Sequence, residues 1–378
     1  MPLWKHLLLL GAALFLGGHP LGASVFEPGK TPPYAAAILV EAETGAVLFE
    51  YRARQPRSPA STQKILLQLV VMDALKVGQV SLDDSVAASA RASRTGGSQV
   101  FLKEGETYTL REMLAAIIIA SGNDAAVAVA EHVGGSVEAF VERMNAKAQD
   151  LGLRNTHCAN VHGLDDTAGD VNQTTAYDLS QQARNLLHFP QILEWTSSTT
   201  YPFRNGRSPL RNTNHLLSRY PGMDGLKTGY TGRAGFCLVS TAQRDGMRLV
   251  AVILGARSVR TRERETTRLL NWGFEHYSKV PLVEAGEFLG KMAIDWGRES
   301  EVSTIARDTA FAVLQPNQEK YLKRELVLPT KRPAPVRAGE ELGVLRISLG
   351  DSVIANVEVV AERSISRMGL WERVLSYF

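Results

Sequence analysis

Cysteine is scarce in this chain: Cys158 and Cys237 are the only two among 378 residues. Two thiols close at most one disulfide, so no disulfide framework holds the fold. Cys237 stands in the strand-like run Gly235-Phe236-Cys237-Leu238-Val239, where packed thiols are the expectation for the pair. A surplus of one charge is absent too, since 42 Lys and Arg against 39 Asp and Glu leave a net charge of +3. Nothing in that balance points to a nucleic-acid partner. The eight His are scattered without ligand spacing, and neither H-E-x-x-H nor G-x-S-x-G occurs. No metal site and no cofactor are therefore expected.

Long apolar runs are missing as well. Lys5 and His6 precede an apolar run from Leu7 to Leu16, followed by Leu21-Gly22-Ala23. The run is about half the ~20 residues that a membrane-spanning helix needs, which favours an export signal over residues 1–23, cleaved after Ala23. An exported protein follows, periplasmic or on the outer face of the cytoplasmic membrane.

The length suggests two to three domains. Ala36–Ala42 and Ala46–Tyr51 read as a hairpin, as do Phe236–Ala242 and Arg248–Gly255 around Arg244-Asp245-Gly246. Ile65–Leu75 is nearly all apolar, the mark of a helix buried on every side. Leu110–Ala120 and Ala125–Val133 read as apolar helices joined by Ser121-Gly122-Asn123-Asp124, and Thr175–Leu187 and Arg262–Tyr277 as further helices. Strands at both ends with helices between predict an α+β layer domain over residues 24–278. Short strand-like runs such as Glu325–Leu328, Leu342–Ile347 and Val353–Val360 predict a small all-β domain over 279–364. Met368, Leu370, Trp371, Val374, Leu375 and Phe378 recur at helical spacing, so residues 365–378 read as an amphipathic helix suited to a membrane surface or to its own domain.

Three short motifs carry chemistry. Ser61-Thr62-Gln63-Lys64 opens the buried helix, with the Ser61 hydroxyl and Lys64 amine one turn apart. A lysine desolvated against an apolar helix loses its proton and can activate a serine, and a helix N-terminus favours an oxyanion. The same residues also fit an N-cap followed by a surface lysine. Ser121-Gly122-Asn123 is either a hydroxyl and amide facing a cleft or a helix cap. Lys227-Thr228-Gly229 is either a carboxylate-holding amine and hydroxyl at a sheet edge or a turn before a strand.

Order and spacing join the three. Ser-x-x-Lys, then Ser-x-Asn about 60 residues on, then Lys-Thr-Gly about 100 further, resemble the penicillin-recognising serine enzymes. Gly96-Gly97-Ser98, His162-Gly163-Leu164-Asp165, Asp224 to Thr231 and Arg233-Ala234-Gly235-Phe236 look most like the D-alanyl-D-alanine carboxypeptidases among the low-molecular-mass penicillin-binding proteins. The resemblance implies a penicillin-binding, β-lactamase-like domain: an antiparallel sheet with a helical insertion. It also implies removal of the terminal D-Ala from peptidoglycan stem peptides, with β-lactams as covalent inhibitors. By it, Ser61 is the nucleophile, Lys64 its base, and Ser121 and Asn123 relay protons and hold substrate. Lys227, Thr228 and Gly229 bind substrate, Tyr230 shares an oxyanion hole with Ser61 through backbone N–H groups, and Arg262 stands near the substrate's carboxylate. A β-lactamase is disfavoured because no Glu-x-x-x-Asn signature occurs between Asn123 and Lys227. A peptidoglycan endopeptidase and a silent wall-binding protein remain the alternatives.

Overall fold

A computed structural model describes residues 26–29, 31–165, 169–369 and 371. The export signal expected over 1–23 and most of the helix expected over 365–378 lie outside the described residues. The chain divides near His276 into two units.

The first unit is built on a five-stranded antiparallel sheet. Its strands are β1 (Ala36–Glu41), β2 (Val47–Tyr51), β3 (Met223–Thr231), β4 (Gly235–Arg244) and β5 (Met247–Ala256), in the order β2-β1-β5-β4-β3. Two-residue periodicity sends alternate side chains to opposite faces. Ile38, Val40, Val250, Val252 and Leu254 join the main core on one face. On the other, Leu39 and Leu249 meet Gly273, where an added Cβ would come within 2.7 Å of both leucines. Gly273 belongs to a helix, Val259–His276, which covers that face. With both faces covered, every residue of β1 is buried.

The helices between β2 and β3 form the second layer. In chain order they are α1 (Lys64–Lys76), α2 (Ala90–Arg94), α3 (Leu110–Ile119), α4 (Asn123–Gly134), α5 (Val137–Asp150), α6 (Ala176–Leu186) and α7 (Ile192–Thr196), with α8 the helix Val259–His276. Ten of the thirteen residues of α1 are buried, as its unbroken apolar run predicts, and α3, α4, α5 and α6 pack around it. Thr109 and Glu112 form a reciprocal capping box at the start of α3, and Ser136 and Thr175 cap α5 and α6. Such caps satisfy N–H groups that the first turn leaves without intrahelical partners.

The second unit contains a six-stranded sheet ordered Leu322–Val327, Glu341–Leu349, Ser352–Ala361, Glu301–Ala306, Phe288–Asp295, Lys331–Pro333. Ser278–Val283 pairs separately with Ala310–Leu314. Two small apolar cores fill it, one around Leu345, Ile347 and Val359 and one around Ile294, Val302 and Ile365. Cys158 and Cys237 are both buried free thiols. Among the described residues no helix is long and apolar enough to cross a membrane.

Candidate active site

Ser61 lies in a single 3-10 turn, Ala60–Gln63, that runs into α1, so Lys64 is the first residue of the α-helix proper. Ala60, immediately before Ser61, has a left-handed backbone, φ 48°, a costly geometry for a residue with a Cβ. Gly163 presses its backbone against the Ala60 carbonyl so closely that a Cβ there would overlap the carbonyl oxygen. The loop carrying His162-Gly163-Leu164 is thereby packed directly beneath the serine.

Lys64 is completely buried, and its Nζ sits 3.1 Å from Ser61 Oγ, 2.6 Å from Asn123 Oδ1, 3.1 Å from the Ser121 carbonyl and 3.3 Å from the His162 carbonyl. Burial, and then the nearby charge of Lys227, push its pKa well below the ordinary lysine range, while Asp124 opposes them. An amine that gives up its proton more readily than an ordinary lysine therefore stands beside the serine hydroxyl. Of Ser121, the carbonyl rather than the hydroxyl meets Lys64. Ser121 itself has a left-handed backbone, φ 62°, that makes the sharp corner between α3 and α4. Asn123 opens α4 rather than ending the loop. Its amide Nδ2 donates to the Gly96 carbonyl at 2.7 Å, and its backbone N–H donates to the Ser98 carbonyl at 2.7 Å. Both amide ends of Asn123 are thus fixed between Lys64 and the Gly96-Gly97-Ser98 turn. At Gly97, φ +81°, a Cβ would stand 2.6 Å from Asn123 Nδ2, so only glycine permits that approach.

Asp124, fully buried, anchors the same turn from below. Its carboxylate accepts the backbone N–H groups of Val100, at 3.0 and 3.1 Å to its two oxygens, and of Leu102, at 3.0 Å. The sequence marks it only as a loop or cap residue.

Lys227, Thr228 and Gly229 occupy the edge strand β3 itself, not a turn before a strand. In its register with β4, Lys227 faces Val239, Thr228 faces Leu238 and Gly229 faces Cys237. Gly229 is the contact point with the serine: a Cβ there would fall 3.0 Å from the backbone nitrogens of both Ser61 and Thr62. Lys227 is buried, and its Nζ donates to the Thr228 carbonyl at 2.9 Å. Burial first, and then Arg262, lower its pKa to about 7. The Thr228 hydroxyl lies 2.6 Å from that of Thr213, a residue the motifs do not mark. Arg262, on α8, is 4% exposed, reaches to 3.5 Å from the Cys237 carbonyl and 3.8 Å from the Glu263 carboxylate, and leaves its Nε without a hydrogen-bond partner among the described residues. Tyr230 is 57% exposed and stacks on Phe236 with ring centroids 4.3 Å apart. Among the described residues no group of three His, Cys, Asp or Glu could hold a metal.

Residues 31–258 match the family described as D-alanyl-D-alanine carboxypeptidase, and 277–367 match the C-terminal domain of penicillin-binding protein 5. The chain belongs to the D-alanyl-D-alanine carboxypeptidase family. It is 36% identical over 338 residues to the D-alanyl-D-alanine carboxypeptidase DacF of Bacillus subtilis, covering 88% of this chain and 86% of that protein. To DacD of Escherichia coli it is 30% identical over 387 residues, 99% of each chain. The crystal structure of penicillin-binding protein 5 from Haemophilus influenzae matches with a TM-score of 0.79 at 29% identity, covering 90% of this chain and 100% of that one. Penicillin-binding protein D2 of Listeria monocytogenes, in its ampicillin-bound form, matches with a TM-score of 0.60 at 30% identity over 66% of this chain and 100% of that one. This family member is a serine-type D-Ala-D-Ala carboxypeptidase, a hydrolase of the low-molecular-mass penicillin-binding proteins.

Proposed function

We propose that Ser61 is the acylated nucleophile and Lys64 its general base in removing the terminal D-Ala from peptidoglycan stem pentapeptides. The observation that carries this reading is the completely buried Lys64 amine 3.1 Å from Ser61 Oγ. A neutral amine takes the hydroxyl proton as Ser61 Oγ attacks the penultimate carbonyl. The oxyanion forms before the backbone N–H groups of Ser61 and Tyr230, a reading supported by the close approach of Gly229, the residue before Tyr230, to the Ser61 nitrogen. The proton then passes from Lys64 to the nitrogen of the departing D-Ala, with the Ser121 hydroxyl as relay, and Asn123 holds the peptide. Water, deprotonated by the same amine, cleaves the acyl-enzyme. Lys227, Thr228 and Arg262 take the terminal carboxylate, a partner that would satisfy the orphaned Arg262 Nε. A β-lactam acylates Ser61 by the same attack.

Mass spectrometry of pentapeptide-containing and cross-linked muropeptides tests the reading. Loss of one D-Ala with the parent protein and not with Ser61→Ala supports it. Cut cross-links would mark an endopeptidase, and no change in either substrate would leave a silent wall-binding protein.

Two finer expectations accompany the activity. Residues 1–23 direct export, so that the enzyme works outside the cytoplasmic membrane where its substrate lies. Residues 365–378 give weak peripheral membrane contact. Flotation with anionic vesicles checks the second: binding should fall with salt and disappear when the residues after Arg367 are removed.

A further inference from the structure

Arg262 is a buried guanidinium that the fold holds only loosely. Among the described residues its shortest side-chain hydrogen bond is the one of 3.5 Å to the Cys237 carbonyl, and its Nε has no partner. A guanidinium beside a carboxylate ordinarily closes on it at about 2.7–2.9 Å. Glu263, the next residue of α8, is the one carboxylate that pairs with Arg262 among the described residues, yet it stops at 3.8 Å.

Glu263 is held back from the other side. His215 Nδ1 stands 3.1 Å from its Oε1, and a guanidinium nitrogen of Arg219 stands 3.4 Å from its Oε2. Both are closer than Arg262. They flank a short 3-10 turn, His215–Ser218, whose approach is tied to the edge strand β3. The Thr213 hydroxyl lies 2.6 Å from that of Thr228, and Asn214 Nδ2 donates to the Gly225 carbonyl at 3.2 Å. The loop that touches Thr228 thus also carries the two side chains that draw on Glu263.

Resting on the proposed reading of Arg262 as a partner of the substrate's terminal carboxylate, we infer that Glu263 is a positioning residue that sets how strongly the site takes that carboxylate. Glu263 is an internal rival for Arg262, and His215 and Arg219 restrain it. The arriving carboxylate therefore meets a guanidinium that is aligned but not occupied. Releasing Glu263 would let it close on Arg262 and compete with substrate, whereas neutralising it would remove the rival. Either change acts on capture, so kcat/KM moves while kcat, set by the untouched Ser61 and Lys64, stays.

The test is D-Ala release by the full chain from Nα,Nε-diacetyl-L-Lys-D-Ala-D-Ala. Glu263→Gln is expected to raise kcat/KM about threefold, the size of one partly screened charge pair. His215→Gln together with Arg219→Gln should lower it by a similar factor, and the same two changes made on top of Glu263→Gln should have no further effect, since they act through the carboxylate. Parental kcat in all three shows that they are folded and that the acylation machinery is intact. A loss from the His215 and Arg219 changes that is equally large without Glu263 would mean that these side chains act on the substrate directly, and would overturn the inference. A fall or no change in kcat/KM on Glu263→Gln, or an effect confined to kcat, would overturn it as well. Arg262→Gln separates the two levels: a loss of kcat/KM there with no response to Glu263→Gln overturns the role of Glu263 alone, and parental kcat/KM there overturns the carboxylate assignment of Arg262 together with the inference.

Discussion

At the scale of single residues, two buried lysines divide the work by their surroundings. Burial and the charge of Lys227 push Lys64 well below the ordinary lysine range, the direction its proposed role as a base requires, whereas burial and the neighbouring Arg262 lower Lys227 to about 7, and a carboxylate is its proposed partner. The pH dependence follows. Protonation of Lys64 removes the base on the acid side; deprotonation of free-enzyme Lys227 above about 7 weakens capture of the carboxylate. The profile of kcat/KM should therefore be a bell with an alkaline limb near 7, and kcat should lack that limb because bound carboxylate keeps Lys227 charged. Lys227→Arg, which stays charged, should move the alkaline limb upward; a limb fixed at its parental position would reject the assignment. Stability carries the same signature. A folded pKa below the unfolded one means that the unfolded chain binds more protons, so stability gained from Lys227 rises as pH climbs from about 7 toward the ordinary lysine value of 10.5. Lys227→Met should flatten that slope in urea titrations across the interval while abolishing turnover. An unchanged slope would place the titration elsewhere.

Much at this scale was legible beforehand, since Ser61, Lys64 and Asn123 converge as their spacing and the resemblance imply. The roles of Asp124, Thr213 and the His162 carbonyl were not. Each acts on a partner distant along the chain, Asp124 across 24 and 22 residues to Val100 and Leu102 and His162 across 98 to Lys64, so no local spacing encodes them.

At the scale of elements, the edge strand decides the geometry. In the sequence Lys227-Thr228-Gly229 reads either as a sheet edge or as a turn before a strand, since lysine and glycine are poor strand formers. It is a strand because β4 pairs with it along its length and the serine turn needs its flat glycine backbone. Gly229→Ala must move the nitrogens of Ser61 and Thr62, 3.0 Å away. Penicillin acylation is expected to slow by at least about tenfold, as small misplacements of reacting groups cost that much or more, while circular dichroism and the unfolding midpoint stay near the parent's. Acylation at the parental rate would remove the strand from the oxyanion site. The longest helix that went unread is α5, Val137–Asp150. Val137, Phe140, Met144 and Ala148 face the core at helical spacing, but the helix is charged elsewhere and carries none of the motifs that drew the reading.

At the scale of the whole molecule, two units with separate cores lie on one chain. The alternating strands after Val280 made the second unit visible as all-β, whereas its strand order, with Lys331–Pro333 parallel to Ala293–Asp295, depends on pairings that no periodicity records. Separate cores predict two calorimetric transitions. Penicillin bound at Ser61 should raise the transition of the catalytic unit and leave the other in place. A single transition that shifts as a whole would mean that the units unfold together.

The two sequestered sulfurs offer something beyond the chemistry of peptide cleavage. Burial raises Cys158 to about 12 and Cys237 to about 11, so neither presents thiolate to a reagent while the catalytic unit stays closed. Cys158 belongs to the stretch leading into the His162 loop, and Cys237 stands opposite Gly229 in the sheet. Alkylation at each site, followed with and without antibiotic, becomes a native stopwatch for the two walls of the cleft, telling which one breathes and which one the drug clamps.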